Sequence, residues 1–126
     1  MSHFTKIKTK IFNKEILIKT LENLGFLVDQ TSSILRGYDD LKKDVDFVIK
    51  FESSYDIGFT LTEDGSYEIV ADWWGVKGYN QEEFIRKVVQ NYSIEIIRVE
   101  MNKKGFKVVE QKTFEDNSIK LIVRKW

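Results

Sequence analysis

Residues 57–74 read IGFTLTEDGSYEIVADWW, and this stretch decides the fold. Ile57, Phe59 and Leu61 recur at every second position, the period of a strand with one buried face. Glu63-Asp64-Gly65-Ser66 then breaks the pattern. A glycine there can take the positive φ that tight hairpin turns demand. Tyr67, Ile69, Ala71 and Trp73 restore the period on the way back. The stretch therefore predicts an antiparallel hairpin. Its returning strand carries Trp73 on the apolar face, and Asp72 beside Val70 and Trp74 on the other.

The same period extends outward. Asp46–Phe51 alternates Phe47, Ile49 and Phe51 with Asp46, Val48 and Lys50, and the opening Ser2–Ile11 alternates Thr5, Ile7, Thr9 and Ile11 with lysines. Between them the spacing changes. Asn13 is a good helix N-cap, and Ile16, Leu17, Thr20, Leu21 and Leu24 fall on one helical face that Gly25 closes. Phe26–Val28 begins a short strand, Asp29–Ser33 is a polar loop, and Ile34–Tyr38 is a further strand interrupted at Gly37. Beyond the hairpin, Asn80 with Glu83 resembles a capping box. A long helix follows on Phe84, Val88, Tyr92, Ile96 and Val99, although 94–99 also fits a strand. Gly105 ends it, and Phe106–Lys112 with Ser118–Lys125 form a last hairpin around Asp116-Asn117. Helix, glycine, phenylalanine and strand follow one another at both Gly25 and Gly105, which suggests a repeated β-α-β-β unit. The expectation is one α+β domain over residues 1–126, an antiparallel sheet with two helices.

The composition narrows the chemistry. The 126 residues contain no cysteine, no proline and one histidine. Disulfides, thiolate metal sites, iron–sulfur clusters and cysteine nucleophiles are excluded together. Twenty basic and twenty acidic side chains cancel, which argues against capture of nucleic acid by the field of the whole molecule. The cancellation is uneven along the chain. Residues 1–19 hold five bases against one acid, 20–85 hold 14 acids against five bases, and 86–126 hold ten bases against five acids. Net charges of +4, −9 and +5 suggest ends that pair with the middle, or a bipolar surface for a charged partner. Lysine and isoleucine are abundant, with 16 and 14 copies, as in proteins from AT-rich genomes. No apolar run reaches the roughly 18 residues of a membrane span, and no secretory leader is expected.

Few residues offer a site. His3 is the one side chain that ordinarily titrates near neutrality, suited to proton transfer or to a single metal bond. Asp72, between Val70 and two indoles, suits a cationic or hydroxyl group, with Trp74 beside it. Arg36 and Tyr38 flank Gly37 and suit a carboxylate or phosphate. Each also has a structural reading: strand anchor, loop cap and internal salt bridge, respectively. Asp39, Asp40, Asp44, Asp46 and Asp56 do not follow the calcium-loop spacing and read as a solvated acidic face. Phosphate-binding glycine loops, a hydrolase elbow and an RNA-recognition aromatic motif are missing from the sequence, and the Asn91-Tyr92-Ser93 sequon falls within a helix.

Several of these segments together resemble one family. The opening Met1–Thr9, Arg36-Gly37-Tyr38, Ile57-Gly58-Phe59, the Tyr67–Trp74 strand, the Gly105-Phe106 junction and the closing Ile119–Trp126 are similar to the hypothetical chloroplast reading frame 35 family. That family, also classed as domain of unknown function 1257, occurs in algal plastids and cyanobacteria. The resemblance implies a plastid stromal protein, or a cytoplasmic one in a cyanobacterium. It implies no activity, cofactor or catalytic residue. With no catalytic constellation and a polarised charge, the expected function is a non-enzymatic binding or accessory module with a protein partner. The alternatives are a small enzyme or ligand sensor with a pocket near Asp72, Trp74 and Arg36, and RNA binding through the basic ends.

Overall fold

A computed structural model describes residues 4–36, 42–116 and 118–126, with Arg36, Lys42 and Lys43 described at the backbone. The predicted hairpin is its centre. Strands β6 (Ile57–Leu61) and β7 (Tyr67–Ala71) pair with Phe59 opposite Ile69 and Leu61 opposite Tyr67. With β1 (Thr5–Lys8), β5 (Phe47–Lys50) and β2 (Leu27–Asp29) they make an antiparallel five-stranded sheet in the order β1-β7-β6-β5-β2. A two-stranded sheet joins β3 (Ile34–Arg36) to β4 (Lys42–Asp44), and another joins β8 (Phe106–Thr113) to β9 (Ile119–Lys125). The helices are α1 (Lys14–Asn23) and α2 (Gln81–Lys103). The architecture is α+β, with an antiparallel sheet and two helices.

Backbone proximity divides the chain into two compact units, residues 1–92 and 93–126. In the first, the central sheet buries both faces. Register places Phe47, Ile49, Ile57, Phe59, Tyr67 and Ile69 on one face, all buried. Phe47 and Phe59, directly opposite one another, stack with ring centroids 4.9 Å apart. The ammonium of Lys14 lies 5.8 Å from the Phe47 centroid, so α1 starts over this face. On the reverse face Val48, Gly58 and Val70 lie in line across β5, β6 and β7. Leu35 and Val45 cover them, with Phe4 packed alongside. A Cβ at Gly58 would stand 2.8 Å from Val45 Cγ1. The glycine inside the strand is thus a close-approach site rather than a weak point.

The helix ends follow their sequence signals. The Asn13 side chain accepts a hydrogen bond from the Ile16 amide at 3.0 Å, and that of Asn80 from the Glu83 amide at 2.8 Å. Gly25, at φ 91°, lets the Phe26 amide reach back to the Leu21 carbonyl at 3.1 Å. This closes the helix as a Schellman motif. The Tyr92 hydroxyl accepts from the amides of Phe12 and Asn13 at 3.3 and 3.1 Å, tying α2 to the start of α1.

Other expectations shift. Residues 94–99 are helical, as the longer period required. The first strand is shorter than Ser2–Ile11, since its ladder runs from Thr5 opposite Ala71 to Lys8 opposite Glu68. β4 is a strand by pairing alone: its sequence, Lys42-Lys43-Asp44, lacks strand character, but Asp44 stands opposite Ile34. Both helix–Gly–Phe junctions use a positive-φ glycine, Gly25 and Gly105, yet the strands beyond join different sheets, β2 to β5 and β8 to β9.

In the second unit β8 and β9 form a long ribbon that closes on the Asp116 side chain, which accepts from Ser118. Asn117, part of the predicted turn, lies outside the described residues. The register slips between Val108 and Glu110, a β-bulge that absorbs Val109. Arg98 on α2 donates to the Gln111 side-chain carbonyl at 3.1 Å, so the ribbon face that bears Gln111 turns toward the helical part of the same unit.

Candidate functional site

β7 delivers the conspicuous Asp72–Gly75 segment to the end of the central sheet. Its ladder with β1 stops at Ala71, and Trp73–Gly75 wind into a single 3-10 turn. The Gly75 amide donates to the Asp72 carbonyl at 3.1 Å and the Val76 amide to the Trp73 carbonyl at 3.3 Å. A strut from outside the turn fixes it, because the Tyr55 amide donates to the Gly75 carbonyl at 2.9 Å. Gly75 also lies against the Tyr55 ring, where a Cβ would stand 2.1 Å from Cδ2.

The turn overturns the alternation expected through Trp73 and Trp74. Helical winding separates neighbours by about 120° rather than 180°, so Asp72 and Trp74 do not share a face as strand residues would. Asp72 is 1% exposed and its side chain does not cap the turn, whereas Trp74 is 68% exposed. Trp73 turns inward, 5.7 Å from the Phe84 ring centroid. There it joins an aromatic cluster in which Phe26 lies 5.5 Å from Tyr79, 5.6 Å from Phe84 and 6.2 Å from Phe51. The buried indole N–H of Trp73 has no acceptor among the described residues. Outside, the Tyr55 ring lies 6.5 Å from that of Trp74 at 52°. The result is an exposed indole on a turn braced by main-chain hydrogen bonds, over a packed aromatic floor. Such a feature supplies contact area at low entropic cost, the property of interface anchors.

The remaining candidates fall elsewhere. His3 and Tyr38 lie outside the described residues, as do Gly37, Asp39 and Asp40. Arg36 is the last residue of β3, its backbone opposite Lys42. Among the described residues no cluster of three or more acidic or imidazole groups is placed to hold a metal ion. Asp56 is buried rather than solvated: its carboxylate accepts from the Phe51 amide at 3.2 Å, a bond between the ends of β5 and the next loop. Asp46 accepts from the Leu61 amide at 2.6 Å. The proximity of Asp46, after burial, helps raise the Tyr67 phenol above its ordinary value.

One recurrent feature escaped the reading of the sequence. Asp29-Gln30-Thr31, Asp64-Gly65-Ser66 and Asp116-Asn117-Ser118 each place an aspartate two residues before a hydroxyl. In each, the carboxylate accepts from that hydroxyl at 2.6 Å and from the amide of the same residue at 2.8–3.0 Å. These hydrogen bonds, side chain first, hold all three carboxyls below the usual carboxylate value. The D-x-[S/T] spacing was the available signal, and it marks turns rather than a site.

The model of the family described as "Protein of unknown function (DUF1257)" matches residues 20–122. The chain is 38% identical over 128 residues to a Pyropia yezoensis protein called "Uncharacterized protein ycf35", with 100% of this chain and 98% of the relative covered. Proteins of the same name from Cyanophora paradoxa and Guillardia theta are 34% and 33% identical at the same coverage. No solved structure matches the chain.

Proposed function

The chain belongs to the DUF1257 family together with the algal ycf35 proteins, and from that premise we propose that it is a non-enzymatic binding or accessory module of the plastid stroma, engaging a protein partner through Trp74. The observation that carries this reading is the exposure of that indole on a turn whose backbone is held from both sides, by Asp72 within the strand end and by Tyr55 across it. An exposed aromatic on a rigid support loses little freedom on contact, so its burial contributes to affinity. The algal plastid relatives support the compartment. Among the described residues no helix is long and apolar enough to cross a membrane.

The test is affinity capture from algal plastid extract with the full chain and its Trp74→Ser variant, followed by titration of the captured protein in purified form. A stoichiometric partner whose affinity falls at least tenfold with Trp74→Ser supports the reading. A partner bound equally by both forms removes Trp74 from the interface, and no partner at low salt overturns the reading.

A further inference from the structure

The outer face of the β8–β9 ribbon has a composition that folding does not explain. Residues directly opposite in an antiparallel pair share a face, so the register sorts the ribbon. Phe106, Val108, Gln111 and Thr113 stand opposite Lys125, Val123, Leu121 and Ile119. This is the largely apolar face, joined to α2 through Arg98 and Gln111. The other face pairs Lys107 with Arg124, Glu110 with Ile122, and Lys112 with Lys120. In a regular strand Lys107 and Lys112, five positions apart, would point to opposite sides. The bulge at Val109 brings them together.

Two of those pairs are cation against cation. Like charges directly opposite destabilise a sheet, and an exposed two-stranded ribbon is already marginal. Glu110 is the one acid on the face, so four cations lie along it against a single carboxylate. Aromatic rings flank them at both ends. The amide of Trp126 donates to the Gly105 carbonyl and that of Phe114 to the Ser118 carbonyl at the ribbon's far end, which continues the alternation and sets both rings on the cationic face. Trp126 is 72% exposed and Phe114 42% exposed. Lys107 lies 5.3 Å from the Trp126 ring centroid and Lys112 5.3 Å from that of Phe114. At about 3.3 Å per residue the rings stand roughly 20 Å or more apart, with the cations between them.

We propose that this face binds single-stranded nucleic acid. Lys107, Lys112, Lys120 and Arg124 would neutralise successive phosphates, while Trp126 and Phe114 stack on bases. Cations in line with exposed rings are what a flexible strand requires, since its charge lies along the backbone and its bases are open to stacking. An anionic membrane fits less well. It needs a continuous apolar strip to insert, and here the rings are separated by charge. The neutrality of the whole chain does not oppose the binding, because phosphate contacts act within a Debye length of about 8–10 Å. The proposal does not depend on the reading of the Trp74 turn.

The test is fluorescence anisotropy of a labelled 15-nucleotide oligouridylate with the full chain, between 50 and 200 mM KCl. Four phosphate contacts predict a log–log salt slope of about −2.8, a loss of affinity of about 50-fold over that range. Lys112→Ala with Lys120→Ala halves the slope. Trp126→Ala weakens binding at least about fivefold with the slope unchanged, and Lys77→Ala, on another loop, changes nothing. Circular dichroism checks that each variant is folded. No binding at 50 mM KCl overturns the proposal. Salt-dependent binding indifferent to both Trp126→Ala and Phe114→Ala overturns base stacking in favour of a nonspecific polyanion surface. Binding to phosphatidylserine vesicles but not to the oligonucleotide overturns it in favour of a membrane.

Discussion

Gly75 and Tyr55 are held together twice, by a hydrogen bond from the Tyr55 amide to the Gly75 carbonyl and by the tyrosine ring lying where a Cβ of residue 75 would be. That double contact fixes the turn presenting Trp74. Gly75→Ala should destabilise the chain by about 1–3 kcal/mol, the usual cost of overpacking. Because the clash is with one ring, Gly75→Ala combined with Tyr55→Ala should cost less than the sum of the two changes. Urea unfolding of the four proteins measures the coupling.

Trp74 itself should be dispensable for folding. With most of its surface exposed, Trp74→Ser should shift stability by no more than about 0.5 kcal/mol. Thermal unfolding measures this directly. A larger loss would mean that the indole belongs to the core and that its effect on a partner is indirect.

Tyr92→Phe removes the acceptor for two main-chain donors, the amides of Phe12 and Asn13. The expected cost is about 1–3 kcal/mol. Hydrogen exchange at those two amides should quicken more than at the Gln81 end of α2. Equal quickening throughout the helix would indicate a general loss of packing instead.

Asp64 gives a pH prediction. Its carboxyl is held below its ordinary value of 3.8 by hydrogen bonds from Ser66 and Thr62, with a smaller contribution from Lys8 at 3.9 Å. A carboxyl depressed in the folded state stabilises fully above its unfolded value, and that contribution is lost as the pH falls through the folded one. The melting temperature of the wild type should therefore exceed that of Asp64→Ala by a constant margin above about pH 5, and the margin should shrink below pH 4. A margin independent of pH down to pH 2 would show that the charged form is not the one stabilised.

Much of the fold was legible because local and long-range signals agreed. Asn13 and Gly25 bracket α1 in the sequence as in space, and the Asp64-Gly65 turn leaves Ile57–Leu61 and Tyr67–Ala71 little choice but to pair. What was hidden depends on contacts remote in sequence. Lys42–Asp44 becomes a strand because Ile34–Arg36 needs a neighbour. Trp74 leaves the strand because Tyr55, nineteen residues earlier, claims the Gly75 carbonyl. Of the site candidates, Asp72 and Trp74 could be picked out by residue type, but their opposite exposures follow from the 3-10 turn, which strict alternation does not foresee.

The bulge at Val109 separates composition from geometry in another way. Counting by twos from Phe106 gives a strand with no consistent face, and so conceals an amphipathic ribbon. A chain one residue shorter, lacking Val109, would present the same two faces with no bulge at all. Length variation at this point is therefore silent for the surface chemistry, whereas one residue gained or lost between Glu110 and Lys112 would turn Lys112 and Phe114 away from the face that Lys120 and Arg124 hold.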